Sequence, residues 1–268
     1  MAPILVAGAG RMGGALIAGW RRSEAFAPSD LIVRDPSPGA QALAARDAGA
    51  ALNPPDADLA GANTVLFAVK PQGWRGAASE IAPHLAPGAT IVSILAGVGT
   101  ADLSAAFGGR PVARAMPTTA SAIGKSTTSL YADEAKARAR AHALFAPVGV
   151  VVDLEDEDLM HAATAASASA PAYFYAFIEA LTAAAAAAGL PPTQATRLAA
   201  GAVIGAAALL DQTGDDPAEL RRQVTSPNGT SHAALKVLMA SQGGLGDLLE
   251  RTVAAAAARS RALGEEPA

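Results

Sequence analysis

Apolar positions in the first half of the chain come in short blocks at fairly regular intervals, and the blocks predict strands. Residues 3–7, 31–34, 50–52, 64–69, 89–94 and 111–116 are β-compatible runs of three to six residues, the length of strands buried on both faces. Between them lie segments with apolar residues at helical spacing, among them 14–22 (Ala15, Leu16, Ala18, Gly19) and the alanine-rich 41–48. Residues 127–131, a helix over 134–145 and residues 148–152 add two more strands, expected at the edge of the sheet. This alternation predicts a parallel, doubly wound α/β sheet.

The pattern changes at Asp153-Leu154-Glu155-Asp156-Glu157-Asp158. Such an acidic run reads as a solvated boundary or as the first turn of a helix, where carboxylates suit the dipole. No strand pattern follows it. Helices are predicted over 158–188, 193–210, 217–224, 231–240 and 245–262, and many of their interior positions are Ala, Gly or Ser. Small residues let helix backbones approach closely, which suits an interlocked oligomer. The expected architecture is an α/β Rossmann-type domain over 1–154 followed by an all-α domain over 155–268.

Composition removes several classes of function. With 268 residues, 51% hydrophobic and 16% charged, the chain has material for two domains and a sizeable core, and disorder is not expected. Aromatics at 4% and a net charge of −4 argue against nucleic acid and against acidic membranes as partners. The absence of cysteine excludes disulfides, thiolate catalysis and Cys-ligated metal. No basic segment precedes the first apolar run, and the weakly polar windows 180–190 and 198–210 are too short to cross a bilayer. A cytoplasmic protein is expected.

The first strand breaks into Gly8-Ala9-Gly10-Arg11-Met12-Gly13, followed by a helix. Strand, glycine turn and helix together give Gly-x-Gly-x-x-Gly its meaning. Gly8 allows the tight turn, Gly10 lets a pyrophosphate come close, and Gly13 lets helix and strand pack. The second strand ends in Arg34-Asp35. An acidic residue there suits the ribose 2′-hydroxyl of NAD and a basic one the 2′-phosphate of NADP. Successive strand residues face opposite ways, so one of the two is aimed at the ribose. Arg34 is preferred, with Asp35 facing solvent or starting the next turn. NADPH is thereby favoured, with NADH as the alternative. Ligands bind at strand carboxyl ends in such sheets, which adds Ala68, Val69, Lys70 and Pro71, and Ala96 and Gly97. Lys70 touches cofactor or substrate, or is an ordinary surface lysine before a proline.

A nicotinamide implies hydride transfer, and the helical half offers few acids to assist it. Beyond the acidic run the only lysine is Lys236 and the only histidines are His161 and His232. An acid-poor site suits a cyclic iminium ion, which arrives already protonated. Residues 224–235 (Val-Thr-Ser-Pro-Asn-Gly-Thr-Ser-His-Ala-Ala-Leu) form a turn feeding a helix, where free backbone N–H groups suit a carboxylate.

Several motifs are similar to those of the pyrroline-5-carboxylate reductase family. They are Gly8 to Gly13, Ala68-Val69-Lys70-Pro71-Gln72, Arg114-Ala115-Met116-Pro117, Thr164 to Tyr173, and Leu220 to Ser231. The last two are the specific ones. The resemblance implies reduction of 1-pyrroline-5-carboxylate to proline with NADPH or NADH, dimers interlocked through the helical domain, and often decamers. It also implies that Ser226, Asn228, Gly229, Thr230 and Ser231 hold the substrate. Ser231 falls where the family usually has a threonine that meets the imine nitrogen. The family's Ser-Gly-Ser-Gly-Pro-Ala-Tyr appears with Ala168 and Ala170, and its Pro-Asn-Thr-Pro with Thr118 and Ala120. Alternatives left open are a related imine or β-hydroxyacid reductase and a non-catalytic dinucleotide-binding regulator.

Overall fold

The computed structural model describes residues 2–265. Eight strands form one sheet: β1 (Ile4–Ala7), β2 (Leu31–Arg34), β3 (Ala51–Leu52), β4 (Thr64–Phe67), β5 (Thr90–Ser93), β6 (Val112–Met116), β7 (Ser126–Tyr131) and β8 (Gly149–Asp153). Their order is β3-β2-β1-β4-β5-β6-β7-β8. Each predicted run became a strand whose ends lie within two residues of those predicted, with β7 starting one residue earlier and β8 ending one later. Alternation along β1 separates the two cores. Ile4 and Val6 join one cluster with Leu16, Trp20 and Phe145, and Leu5 and Ala7 join another with Phe67, Trp74 and Phe107. Helices α1 (Arg11–Ser23), α2 (Ala40–Asp47) and α5 (Ala135–Phe145) supply the first cluster. Helices α3 (Trp74–Ile81) and α4 (Thr100–Ala106) supply the second. A sheet covered on both faces explains why its strands read as continuous apolar runs.

Two expectations about the sheet need correction. β1 to β6 are parallel, but β7 runs antiparallel to β6. The β6–β7 connection is a short turn, Thr119–Ile123, with no crossover helix, so the chain reverses. β8 is parallel to β7 because α5 provides the crossover. β7 is also not at the edge, since β8 pairs along its outer side.

After β8 every described element is helical: α6 (Leu159–Ala163), a π turn at Thr164–Ala168, α7 (Ala170–Ala187), α8 (Pro192–Thr213), α9 (Pro217–Gln223), α10 (Thr230–Leu238) and α11 (Leu245–Glu265). The predicted single helix over 158–188 is interrupted at the π turn. There the Thr164 and Ser167 hydroxyls donate to the carbonyls four residues back, Met160 and Ala163, at 2.6 and 2.8 Å, a pattern that bends helices. Two compact units result, 1–168 with 255–268, and 169–254. The change from strands to helices near 154 does not coincide with this division, because Met160 on α6 is fully buried and His161 bonds to Ser260 on α11 within the sheet-bearing unit.

The windows 180–190 and 198–210 fall largely within longer helical stretches. The helical stretches Leu159–Ala187 and Pro192–Thr213 are long and apolar enough to cross a bilayer by length and composition. Sparse polar residues, rather than unbroken apolar runs, account for the difference. Phe174, Tyr175, Leu198 and Ile204 are all exposed.

Candidate active site

In the sheet-bearing unit the three glycines after β1 have three different surroundings. Gly8 has φ +93°, and a Cβ there would lie 2.6 Å from the Ala68 carbonyl oxygen at the end of β4. Only glycine meets both conditions. A Cβ on Gly13 would overlap the Gly8 carbonyl oxygen, so α1 rests directly on the loop. Gly10 has nothing within 4 Å of its Cβ position. It is the N-cap of α1, and no side chain caps that helix. The first helical bond runs from the Gly14 N–H to the Gly10 carbonyl, which leaves the amides of Arg11, Met12 and Gly13 without intrahelical partners. Open space at an uncapped helix start fits a pyrophosphate.

Of the two arrangements expected of Asp35 at the end of β2, the second is found: it does not face solvent but starts the next turn. It is buried, and its Oδ2 accepts the Ala9 N–H at 2.6 Å while its Oδ1 accepts the Ser37 N–H at 2.7 Å. The carboxylate thus ties the glycine loop to the turn after β2, because a buried loop amide must find an acceptor. Asn53, at φ +48°, clasps the same backbone, accepting the Asp35 N–H and donating to the Asp35 carbonyl. Arg34 donates to the Pro54 carbonyl at 2.8 Å and pairs with Asp56 at 2.5 Å. Asp56 has a second neighbour in His84, whose Nε2 lies 3.7 Å from its carboxylate.

The chain order reverses between β1 and β4, which are adjacent, the switch point where such sheets bind ligands. Ala68 lies there, bonded through its N–H to the Ala7 carbonyl. Val69 is half-buried, Lys70 is exposed, and Pro71 opens a single 3-10 turn. Ala96 and Gly97 follow β5, with Gly97 at φ +83°. The loop after β1 and the ends of β2, β4 and β5 therefore bring the candidate cofactor residues to neighbouring positions along one side of the sheet.

Composition and spacing missed a buried polar network beside that side. Arg114 on β6 is 4% exposed and pairs through Nη1 with Glu157 Oε1 at 2.7 Å. The Glu157 carboxylate also accepts the Thr100 N–H and hydroxyl at 2.7 and 2.8 Å. Burial by itself would raise the Glu157 carboxyl. Hydrogen bonds from Arg114 and from the Thr100 amide and hydroxyl outweigh it and hold the group below its ordinary value. Burial, with the Arg114 and Arg261 charges, lowers His161, which shares a 3.1 Å hydrogen bond with Ser260. His161 is thus a partnered residue inside the sheet-bearing unit. The acidic run at 153–158 hid Glu157, since nothing in a row of carboxylates says which one turns inward.

In the helical unit, residues 224–229 connect α9 to α10. Ser226 to Gly229 form a tight turn closed by the Gly229 N–H on the Ser226 carbonyl at 3.0 Å, with Asn228 at φ +58°. A Cβ on Gly229 would overlap Ser226 Oγ. Gly229 is the N-cap of α10 and no side chain caps it, and the first helical bond is from the Ala233 N–H to the Gly229 carbonyl. The amides of Thr230, Ser231 and His232 are thus left to other acceptors. Ser226, Asn228, Thr230 and Ser231 are exposed. His232 folds back, its Nδ1 accepting the Asn228 N–H at 3.1 Å, so it braces the turn rather than pointing outward.

Residues 157–263 match the family described as pyrroline-5-carboxylate reductase dimerisation, and residues 3–97 match the one described as NADP oxidoreductase coenzyme F420-dependent. A pyrroline-5-carboxylate reductase of Pseudomonas aeruginosa is 37% identical over 97% of this chain and 96% of its own. The chain belongs to the pyrroline-5-carboxylate reductase family. A family member from Coxiella burnetii superposes with TM-score 0.88 at 28% identity, over 98% of both chains. A Plasmodium falciparum pyrroline carboxylate reductase, solved with NADP bound, shares the fold at TM-score 0.82 and 22% identity, over 98% of both chains. Of the departures from the family's motifs, Thr118 is absorbed locally. It is buried, receives its bond from Ser121 Oγ at its carbonyl, and donates its N–H to Ser126 Oγ at 3.0 Å. Ala168 ends the π turn and Ala170 begins α7.

Proposed function

We propose that the protein reduces 1-pyrroline-5-carboxylate to L-proline, the last step of proline biosynthesis, with NADPH as preferred donor and NADH as the alternative. The uncapped start of α10 behind the Ser226–Gly229 turn carries this reading. Its free amides and the Ser226, Thr230 and Ser231 hydroxyls suit a small carboxylate and a polar ring atom. Ser226, Asn228, Gly229 and Thr230 bind and orient the carboxylate and ring, and the Ser231 hydroxyl meets the ring nitrogen. Gly8, Gly10, Arg11, Met12 and Gly13 hold the cofactor's pyrophosphate, Arg34 its 2′-phosphate, and Ala68, Val69, Lys70, Pro71, Ala96 and Gly97 border it at the strand ends. The nicotinamide, when bound, supplies a hydride. Hydride adds to the imine carbon while the C=N π electrons pass to nitrogen, which already carries its proton. No strong acid is required at nitrogen, in keeping with a His161 partnered by Ser260 and a His232 engaged in the turn.

NADPH oxidation on addition of 1-pyrroline-5-carboxylate is the expected result. Absence of turnover with either nucleotide, in folded protein, overturns the proposal. Exposed apolar side chains on α7 and α8 and the match to a dimerisation family support a homodimer through the helical unit, with decamers built from such dimers. Light scattering that returns the mass of a single chain excludes both. We place the enzyme in the cytoplasm, where a reduced nicotinamide pool is available, and recovery in a membrane fraction would contradict that.

Cofactor choice offers a sharper measurement. The Arg34 guanidinium is already paired with Asp56, so a 2′-phosphate competes with a carboxylate for it. Arg34→Ala should cut the preference for NADPH over NADH by roughly tenfold, the worth of about 1.5 kcal/mol for a hydrogen bond to a charged group. Asp56→Asn should raise that preference by up to about fivefold, because exposed pairs are worth about 0.2–1 kcal/mol. The ratio of kcat/KM for the two nucleotides reads both. Equal weakening in Arg34→Ala assigns the preference to another group.

A further inference from the structure

Two separate contacts fix residues 94–99, the loop between β5 and α4. At its downstream end, Glu157 accepts both the N–H and the hydroxyl of Thr100, and Glu157 is itself paired with the buried Arg114. At its middle, Gly97 lies against the last turns of α11. A Cβ on Gly97 would lie 2.5 Å from the Gly264 nitrogen and 2.6 Å from the Ser260 carbonyl oxygen, and a Cβ on Gly264 would overlap the Gly97 carbonyl. Backbone meets backbone there because both positions are glycine. Ser260 is buried and bonded to His161, so one short segment, 157–161, reaches both contacts.

A half-buried carboxylate paired with a buried guanidinium is a poor way to add stability, because desolvation offsets most of the attraction. It is an effective way to fix geometry. A loop that only linked β5 to α4 would need neither the pair nor the glycine-to-glycine approach.

We propose that these contacts form a clamp that sets the position of the β5–α4 loop beside the bound nicotinamide, with Glu157 and Gly264 as positioning residues for hydride transfer. The proposal rests on the reading that Ala96 and Gly97 border the cofactor.

The test compares Gly264→Ala with the unaltered enzyme and with Gly76→Ala, a helical glycine in the same unit with nothing within 4 Å of its Cβ position. A methyl at 264 must push the Gly97 carbonyl away, and misplacement by about 1 Å can cost on the order of 100-fold in rate. The expected result is a fall of tenfold or more in kcat/KM for NADPH, a KM for 1-pyrroline-5-carboxylate within about twofold of the original, and faster hydrogen exchange at residues 94–100. Gly76→Ala should match the unaltered enzyme. Thr100→Val and Thr100→Ser test the other contact. Serine keeps the donor to Glu157 and should preserve the kinetics, while valine should reproduce the Gly264→Ala pattern, and the pair decides the matter if Gly264→Ala does not fold. Folded variants with unchanged cofactor kinetics and unchanged exchange overturn the clamp, as does a loss in which both KM values move together with Tm. If the unaltered protein shows no turnover, the functional reading fails instead, and the exchange comparison alone judges whether the contacts hold the loop.

Discussion

Ser231→Ala is expected to lower kcat with 1-pyrroline-5-carboxylate by about 100-fold, the usual loss when one placed donor is removed from a reacting centre. NADPH affinity should stay within about twofold, because the change adds no bulk. The hydroxyl sits in the first turn of α10, where Ser231 is exposed and α10 has no side-chain cap. Serine there is not holding the helix together, so its removal should leave Tm nearly unchanged. Ser231→Thr restores the residue usual in the family and should keep or raise activity, since the added methyl limits the rotamers of the hydroxyl. Equal loss of turnover and cofactor affinity in Ser231→Ala would mean that the residue is structural, and no loss of turnover would remove it from the mechanism.

Valine at Gly10 and valine at Gly13 should both weaken NADPH binding, for opposite reasons. At Gly13 the new Cβ overlaps the Gly8 carbonyl, so α1 must move off the glycine loop. Overpacking of this kind costs about 1–3 kcal/mol, and a Tm lowered by several degrees is expected with the binding defect. At Gly10 nothing lies within 4 Å of the Cβ position and φ is −66°, so the fold should accept the side chain. Its bulk then occupies the space a pyrophosphate needs. The same 1–3 kcal/mol falls on the complex alone, which is roughly 5- to 150-fold in Kd. Titration of NADPH fluorescence against thermal melts separates the two. A Gly10→Val protein that melts like the original and binds NADPH equally well would remove the glycine loop as the pyrophosphate site.

Much of the fold was legible because it is written locally. β1, β2 and β4 to β6 are apolar runs whose neighbours in space are also apolar runs, so short-range pattern and final burial agree. The glycine loop was legible because φ +93° at Gly8 is a local demand that one residue type meets. Residues 226–231 could be read for the same reason, since a turn and a helix start are settled by residues a few positions apart.

What the sequence left open depends on partners far along the chain. Arg34 and Asp35 were identified as the pair at the end of β2, but which way each turns is decided by Asp56, 22 residues away, and by Ala9, 26 residues away. Glu157 looked like one of several solvated acids. Its contacts with Arg114 and Thr100 span 43 and 57 residues. The reversal of β7 followed from a connection too short for a crossover, and was visible only once β6 and β7 were paired. The long apolar helices α7 and α8 read alike whether they face a core, a bilayer or a second copy, and only their exposure in the tertiary structure singles them out as surface that calls for a partner. The sequence alone thus determined the element types, the glycine loop and the turn that opens α10, where backbone geometry is dictated by neighbours in the chain. The tertiary structure alone decided which charges are buried and paired, how the last two strands run, and what holds the β5–α4 loop, because those depend on residues brought together across tens of positions.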